Sequence, residues 1–242
     1  MFVLNISQEA LHDFVWGLIA CRYTYGTTVK EEENLIQVTY GYPVGDRRHE
    51  LFITPFGLRK VFKKAPFSPH YLTLVTSRQE APQLYSYYLS SSHYLMILED
   101  IAALELSTSY KSADMKLSEI TDYTEAQEVN TYFQLNAVNL EQIEQEGINQ
   151  YVMYDHLTPV GFGRISSTRK SKRACLDNIY IDPDYRKQGL GSHLCEKIIL
   201  YSAPHTTSWI LASSQMGFSI YLKLGFRNTA FLFTYKKRSN SI

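Results

Sequence analysis

Arg186-Lys187-Gln188-Gly189-Leu190-Gly191 is the stretch of this 242-residue chain whose residue types and spacing promise chemistry. The apolar run Ile179-Tyr180-Ile181 precedes it, Asp182-Pro183-Asp184-Tyr185 reads as a tight turn, and Ser192-His193-Leu194 continues into a helical pattern. Two glycines at this spacing let backbone N–H groups come close to a ligand, and a helix start supplies the positive end of its dipole. Together they suit a pyrophosphate, and so a nucleotide-like cofactor. The loop is not a P-loop, because Gly-x-x-x-x-Gly-Lys-Ser/Thr is absent. It is not a dinucleotide fingerprint either: no third glycine follows Ser192, and hairpin-linked strands precede it. On the hexapeptide alone, a plain strand-to-helix turn is an equal reading.

Other reactive residues are scattered. Cys21, Cys175 and Cys195 are too few and too far apart for a disulfide framework or a metal knuckle. Cys195, in the helix after the loop, reads as a small buried hydrophobe. His49, His70, His93, His156 and His205 show no ligand spacing, and no metal is expected. Lys plus Arg number 24 and Asp plus Glu number 24, a balance that gives no support to a nucleic-acid partner. No apolar run reaches the roughly 18–20 residues of a membrane helix. Met1 to Ser7 carries no basic region or small-residue cleavage site. The expectation is a cytoplasmic protein without a membrane partner, either monomer or homodimer.

These residues need elements to position them. Leu11, Phe14, Val15, Leu18 and Ile19 fall at helical spacing behind Ser7. Strands are expected at 35–40, 51–53, 71–75 and 94–98, with a helix over 81–89 that ends at Ser90-Ser91-Ser92. The small polar run Ser107 to Ser112 marks a boundary between domains at 1–106 and 112–238. From 115 on the pattern reads β-α-α-β-β-β-α-β-α-β. It includes a helix capped by Thr121 or Asp122, a short helix around Leu140 and Ile143, a hairpin across Asp155 to Pro159, and a glycine stop at Gly225. The fold class expected is α/β (α+β): a mixed central sheet flanked by helices, joined to a smaller mixed α/β N-terminal domain.

The run Asn178 to Gly191 closely resembles the acetyl-CoA signature, motif A, of the GNAT superfamily of N-acetyltransferases. A second match, Tyr221-Leu222-Lys223-Leu224-Gly225-Phe226, has the form Tyr-x-x-Leu-Gly-Phe that often follows the family's fifth strand. A weaker third is Pro159-Val160-Gly161-Phe162-Gly163, similar to the hairpin ahead of motif A. The resemblance covers about residues 115–236, and the motifs occur in the family's order.

That resemblance implies acetyl-CoA as donor substrate, no metal, and direct attack of an amine on the thioester. The backbone of Ile179, Tyr180 and Ile181 would pair with the pantetheine arm as an added strand does. N–H groups across Arg186, Lys187, Gln188, Gly189, Leu190, Gly191 and Ser192 would hold the pyrophosphate, with the Arg186 charge beside it. Tyr221 stands where the family often keeps a tyrosine that protonates the leaving thiolate. Ser214 stands where relatives often keep an asparagine against the pantetheine, and a serine reaches less far. Where some members carry a glutamate base, this chain has Cys175. Asp177, two residues on and so on the same strand face, is the substitute. A plain surface carboxylate is the competing reading for Asp177, and a core tyrosine the competing reading for Tyr221.

For residues 1–106 three readings stay open: a degenerate copy of the same fold, a domain that builds the acceptor side, or an extension used for dimerisation. Two functions compete for the whole chain. One is an N-acetyltransferase acting on a primary amine of a small molecule or protein. The other is a catalytically weak acyl-CoA-binding or regulatory module, which the missing strand glutamate favours. A tandem aminoacyl transferase using charged tRNA is disfavoured by the neutral charge.

Overall fold

Helix α1, Gln8–Cys21, uses the apolar spacing seen in the sequence: Phe14, Val15, Leu18 and Ile19 are all buried. The computed structural model describes residues 8–58, 61, 70–105, 115–167 and 172–238. Eleven strands follow one another along these residues: β1 Thr28–Glu32, β2 Leu35–Val44, β3 Arg47–Ile53, β4 Tyr71–Thr76, β5 Tyr87–Leu98, β6 Met115–Glu119, β7 Ile148–Asp155, β8 Thr158–Ser167, β9 Arg173–Ile181, β10 Ser208–Ser213 and β11 Arg227–Lys237. The other helices are α2 Tyr123–Phe133, α3 Leu190–Ser202 and α4 Phe218–Lys223. Asp122 caps α2, its carboxylate accepting from the N–H groups of Thr124 and Glu125. The fold is mixed α/β, as expected.

All eleven strands join one sheet, in the order β1-β2-β3-β4-β11-β5-β10-β9-β8-β7-β6. Only β3–β4 and β9–β10 are parallel. The two halves of the chain interlock within it. Strand β5, from the first half, lies between β10 and β11, while β11, the last strand, lies between β4 and β5. Ser107 to Ser112, the expected boundary, lies outside the described residues.

One sequence expectation is corrected here. Residues 81–89 are not a helix: Tyr87 onward is β5, and 81–86 are irregular. Ser91 and Ser92, read as a helix stop, pair with Thr234 and Phe233 of β11. A partner more than 140 residues away decides this conformation, and local composition cannot show it. The short helix around Leu140 is a single 3-10 turn, Leu140–Gln142, capped by Asn139.

Two layers of helix cover the sheet. Leu190, Leu194, Ile198 and Ile199 of α3 pack with α4 against Leu176, Trp209 and Leu211. On the other face α2 covers Val152 and Phe162, and α1 covers Cys175, Ile210, Leu95 and Ile97. Within five residues α1 bonds to strands six places apart: Ser166 Oγ of β8 donates to the Gly17 carbonyl at 3.0 Å, and Arg22, just past the helix, meets Glu50 of β3 at 2.9 Å. A flat sheet would hold those strands about 29 Å apart at roughly 4.8 Å per step. The sheet therefore curls around α1.

Candidate functional site

The parallel pairing of β9 with β10 runs only from Arg173↔Ser208 to Leu176↔Leu211. Beyond that level the two strands part. Asp177, Tyr180 and Ile181 keep β8 on one edge, opposite Arg164, Phe162 and Gly161, and the described residues place no strand on the other. An unpaired edge leaves main-chain donors and acceptors ready for an added strand.

A bulge at Asn178, whose φ is 56°, shifts the β8–β9 register and resets which way side chains point. Before it, Cys175 and Asp177 face α1. After it, Ile179 and Ile181 pack with the α3 cluster, while Tyr180 stacks on Phe162 with ring centroids 4.9 Å apart. These three side chains are committed to packing, so what they present at the free edge is backbone.

That edge leads straight to the glycine loop. Arg186 Nε donates to the Ile181 carbonyl at 2.9 Å, and its guanidinium lies over the Tyr180 ring, so Arg186 fastens the loop to the strand end. Lys187 and Gly189 have φ of 62° and 83°. Gly189 is the N-cap of α3 and brings no side-chain acceptor, which leaves the first N–H groups of the helix open to an external anion. A Cβ on Gly191 would stand 3.2 Å from Ile220 Cδ1 and 3.9 Å from Ile181 Cγ1, so a side chain there would fill the space between loop, β9 and α4. Lys187 and Gln188 are exposed, Ser192 is half-buried, and Leu190 is a core residue that anchors the helix. This bare helix start fits a pyrophosphate.

Tyr221 lies on the α3 side of the opening. It is buried in the core shared by α3 and α4, and its ring meets Phe226 edge-on at 5.7 Å. Burial, and a hydrogen bond given to the Cys195 thiol, hold its phenol well above the ordinary value; burial pushes the Cys195 thiol up to about 12. Ser214 is exposed at the end of β10, where its hydroxyl accepts from the Gly217 N–H at 3.3 Å.

Asp177 lies on the α1 side. Arg164 donates to its carboxylate at 2.6 Å and also reaches Gln142 Oε1. Burial would raise this carboxyl, but Arg164 and Arg22 outweigh it and hold it below the usual carboxylate range. Cys175, at the expected glutamate position, is fully buried and its thiol is pushed up. Tyr221 and Asp177 thus flank one opening from its two faces, close enough for the Asp177 charge to raise the phenol further.

A polar cluster at the C-terminal end of α1 was not legible in the sequence. Glu50 is 1% exposed and bonded by Arg22, Arg47 and the Tyr40 hydroxyl. Charge alternation in β3 and a tyrosine two residues after Val38 were the available signals, and neither shows that β3 and β9 both pack on α1.

With this geometry in view the comparisons are specific. Residues 146–228 match the family model described as an acetyltransferase (GNAT) domain. This segment is similar to a GNAT domain. A GCN5-related N-acetyltransferase from Kribbella flavida superposes with a TM-score of 0.65 at 12% identity, covering 100% of this chain and 98% of that one. A GNAT-family protein from Novosphingobium aromaticivorans gives 0.55 at 15%, covering 95% and 99%. A tandem GNAT protein from the clavulanic acid biosynthesis pathway gives 0.56 at 15%, covering 91% and 86%. No curated protein matches the sequence. The GNAT likeness in structure therefore spans the whole chain, including the larger part outside the matched segment. Among the described residues no three His, Cys, Asp or Glu side chains cluster as metal ligands, and no helix is long and apolar enough to cross a membrane.

Proposed function

We propose that this protein transfers an acetyl group from acetyl-CoA to a primary amine of a small molecule or protein. One observation carries the reading: the unpaired edge of β9 leads directly into an α3 N-terminus with no side-chain cap. The backbone of Ile179 to Ile181 would take the pantetheine arm, and the N–H groups from Arg186 to Ser192 the pyrophosphate, with Ser214 at the far wall. The donor contributes an activated carbonyl. The chain holds it, aims it through the gap between β9 and β10, and excludes water. Tyr221 is assigned to protonate the departing sulfur; its phenol is fully protonated at neutral pH, as a donor must be. Asp177 is assigned to the acceptor side, where an ion-paired carboxylate is a better electrostatic partner for an ammonium than a proton acceptor.

The domain assignment follows. Residues 1–106 form an acceptor-side unit and 112–238 the acetyl-CoA unit, the two exchanging strands. A cytoplasmic monomer or homodimer with no nucleic-acid or membrane partner is part of the same proposal.

The binding-module alternative has its own support, since Tyr221 bonds to Cys195 and Asp177 to Arg164, leaving neither idle. Two measurements test the readings, and the second separates them. CoA at 100 times its Kd should add about 2.7 kcal/mol to stability in either case. Thiol release from acetyl-CoA with a panel of amines should occur only for the transferase. Absence of any CoA-dependent thermal shift at millimolar cofactor would remove both.

A further inference from the structure

We infer that His93, on β5, is the residue that takes the acceptor's proton; this rests on the transferase reading above. Three observations place it. First, register: Met96, Leu211 and Leu176 are level across β5, β10 and β9, at the last point where β9 and β10 pair. His93 is three residues beyond Met96, about 10 Å along the strand, at the mouth of the gap. Second, face: Leu95 and Ile97 point at α1, and strand alternation puts His93 on that same side, opposite the α3 face where the cofactor loop lies. Third, freedom: Asp177 is held by Arg164 and Cys175 is sealed in the core, whereas His93 is half-buried and no hydrogen bond to its imidazole is seen among the described residues.

The groups around it are informative. Arg22, after α1, and Arg47, on β3, act on the imidazole, with Glu50 bound by Arg22 and by the Tyr40 hydroxyl behind them and Asp177 across the gap on β9. Burial first, then the two arginines, hold the imidazole below its ordinary value, so it is neutral at pH 7 with a ring nitrogen able to accept a proton. In the step, the amine nitrogen forms the C–N bond to the thioester carbonyl and the C–S bond breaks. The proton shed by nitrogen passes to His93, and the sulfur leaves as a thiol with a proton from Tyr221 or water; both side chains then re-equilibrate with solvent. No other co-reactant is needed.

The test uses the full chain. Protein labelled with 15N-histidine is titrated with acetyl-CoA, and His93→Gln identifies the His93 resonance. The His93 signal should move on donor binding; a signal that stays put while donor binds overturns the inference. Kinetics with the best amine from the panel should show kcat reduced about 10²–10⁴-fold in H93Q. Acetyl-CoA Kd should stay within about twofold, and the rising limb of the pH profile below pH 6.5 should disappear. Added imidazole should restore part of the rate to His93→Ala. An active wild type whose H93Q variant keeps its kcat and its limb sinks this inference alone. A wild type that binds CoA but releases no thiol with any amine sinks the transferase reading with it.

Discussion

Arg164 and Asp177 face each other on neighbouring strands, 2.6 Å apart, beside the bulge that opens β9. The pair fixes the α1 side of the gap, because Arg164 also holds Gln142, whose amide donates to the carbonyls of Ala20 and Cys21 at the end of α1. Removing Arg164 would strand a carboxylate that is only 28% exposed. Arg164→Leu is expected to cost about 2–4 kcal/mol in urea unfolding. Asp177 has a folded value below its unfolded one of about 3.9. Its contribution is therefore present above pH ~4 and fades as pH falls through the lower folded value. The wild-type advantage over R164L should shrink correspondingly in acid; an advantage constant from pH 7 to pH 2 would contradict the pairing.

Gly189→Ala tests the cofactor loop. Its φ of 83° costs an alanine about 1–2 kcal/mol. The strain should fall on the loop, weakening CoA at least tenfold by calorimetry while the thermal midpoint drops only a few degrees. Equal CoA affinity in the variant would mean that the α3 start does not hold the pyrophosphate.

Tyr221→Phe removes the hydroxyl that bonds Cys195. For a phenol that serves the leaving sulfur, kcat should fall about 10–100-fold with CoA affinity unchanged. Cys195→Ala, which only frees the hydroxyl, should leave kcat within a few-fold. A Y221F enzyme with full kcat would assign Tyr221 to the core alone.

Much of the C-terminal half was legible in the sequence, since its signals are local: apolar spacing in α3, the cap of α2, the glycines around the loop. β5 was not. Tyr87-Tyr88-Leu89-Ser90-Ser91-Ser92 has no strong period, and its conformation comes from its pairing with β11. Site residues divide the same way. The loop is contiguous and could be read, whereas His93 and Arg22 meet only because the sheet curls around α1. A lone histidine between serine and tyrosine gives no sign of that meeting.

Glu50 gathers two arginines and a tyrosine at 1% exposure. Glu50→Gln should cost about 3 kcal/mol by removing the carboxylate that both arginines bond. Differential calorimetry on the pair E50Q and E50Q/R22M would show part of that loss recovered in the double variant. No recovery would mean that the two side chains act independently.

Residues 1–106 and 112–238, produced separately, should each be insoluble or partly folded, because each lacks a strand that the other supplies. Co-expressed, they should elute together as one complex. Two well-folded, non-associating halves would refute the exchange.

The placement of β5 between β10 and β11 also bears on how the chain is made. Residue 98 leaves the ribosome with neither neighbour yet synthesised, and β11 ends only at residue 237. At about 5–20 residues per second the wait is roughly 7–28 s. During it, Leu95, Met96, Ile97 and Leu98, all buried in the finished sheet, have no cover from β10 or β11. Translation speed and chaperone supply, rather than final stability, should then set how much active protein a cell obtains.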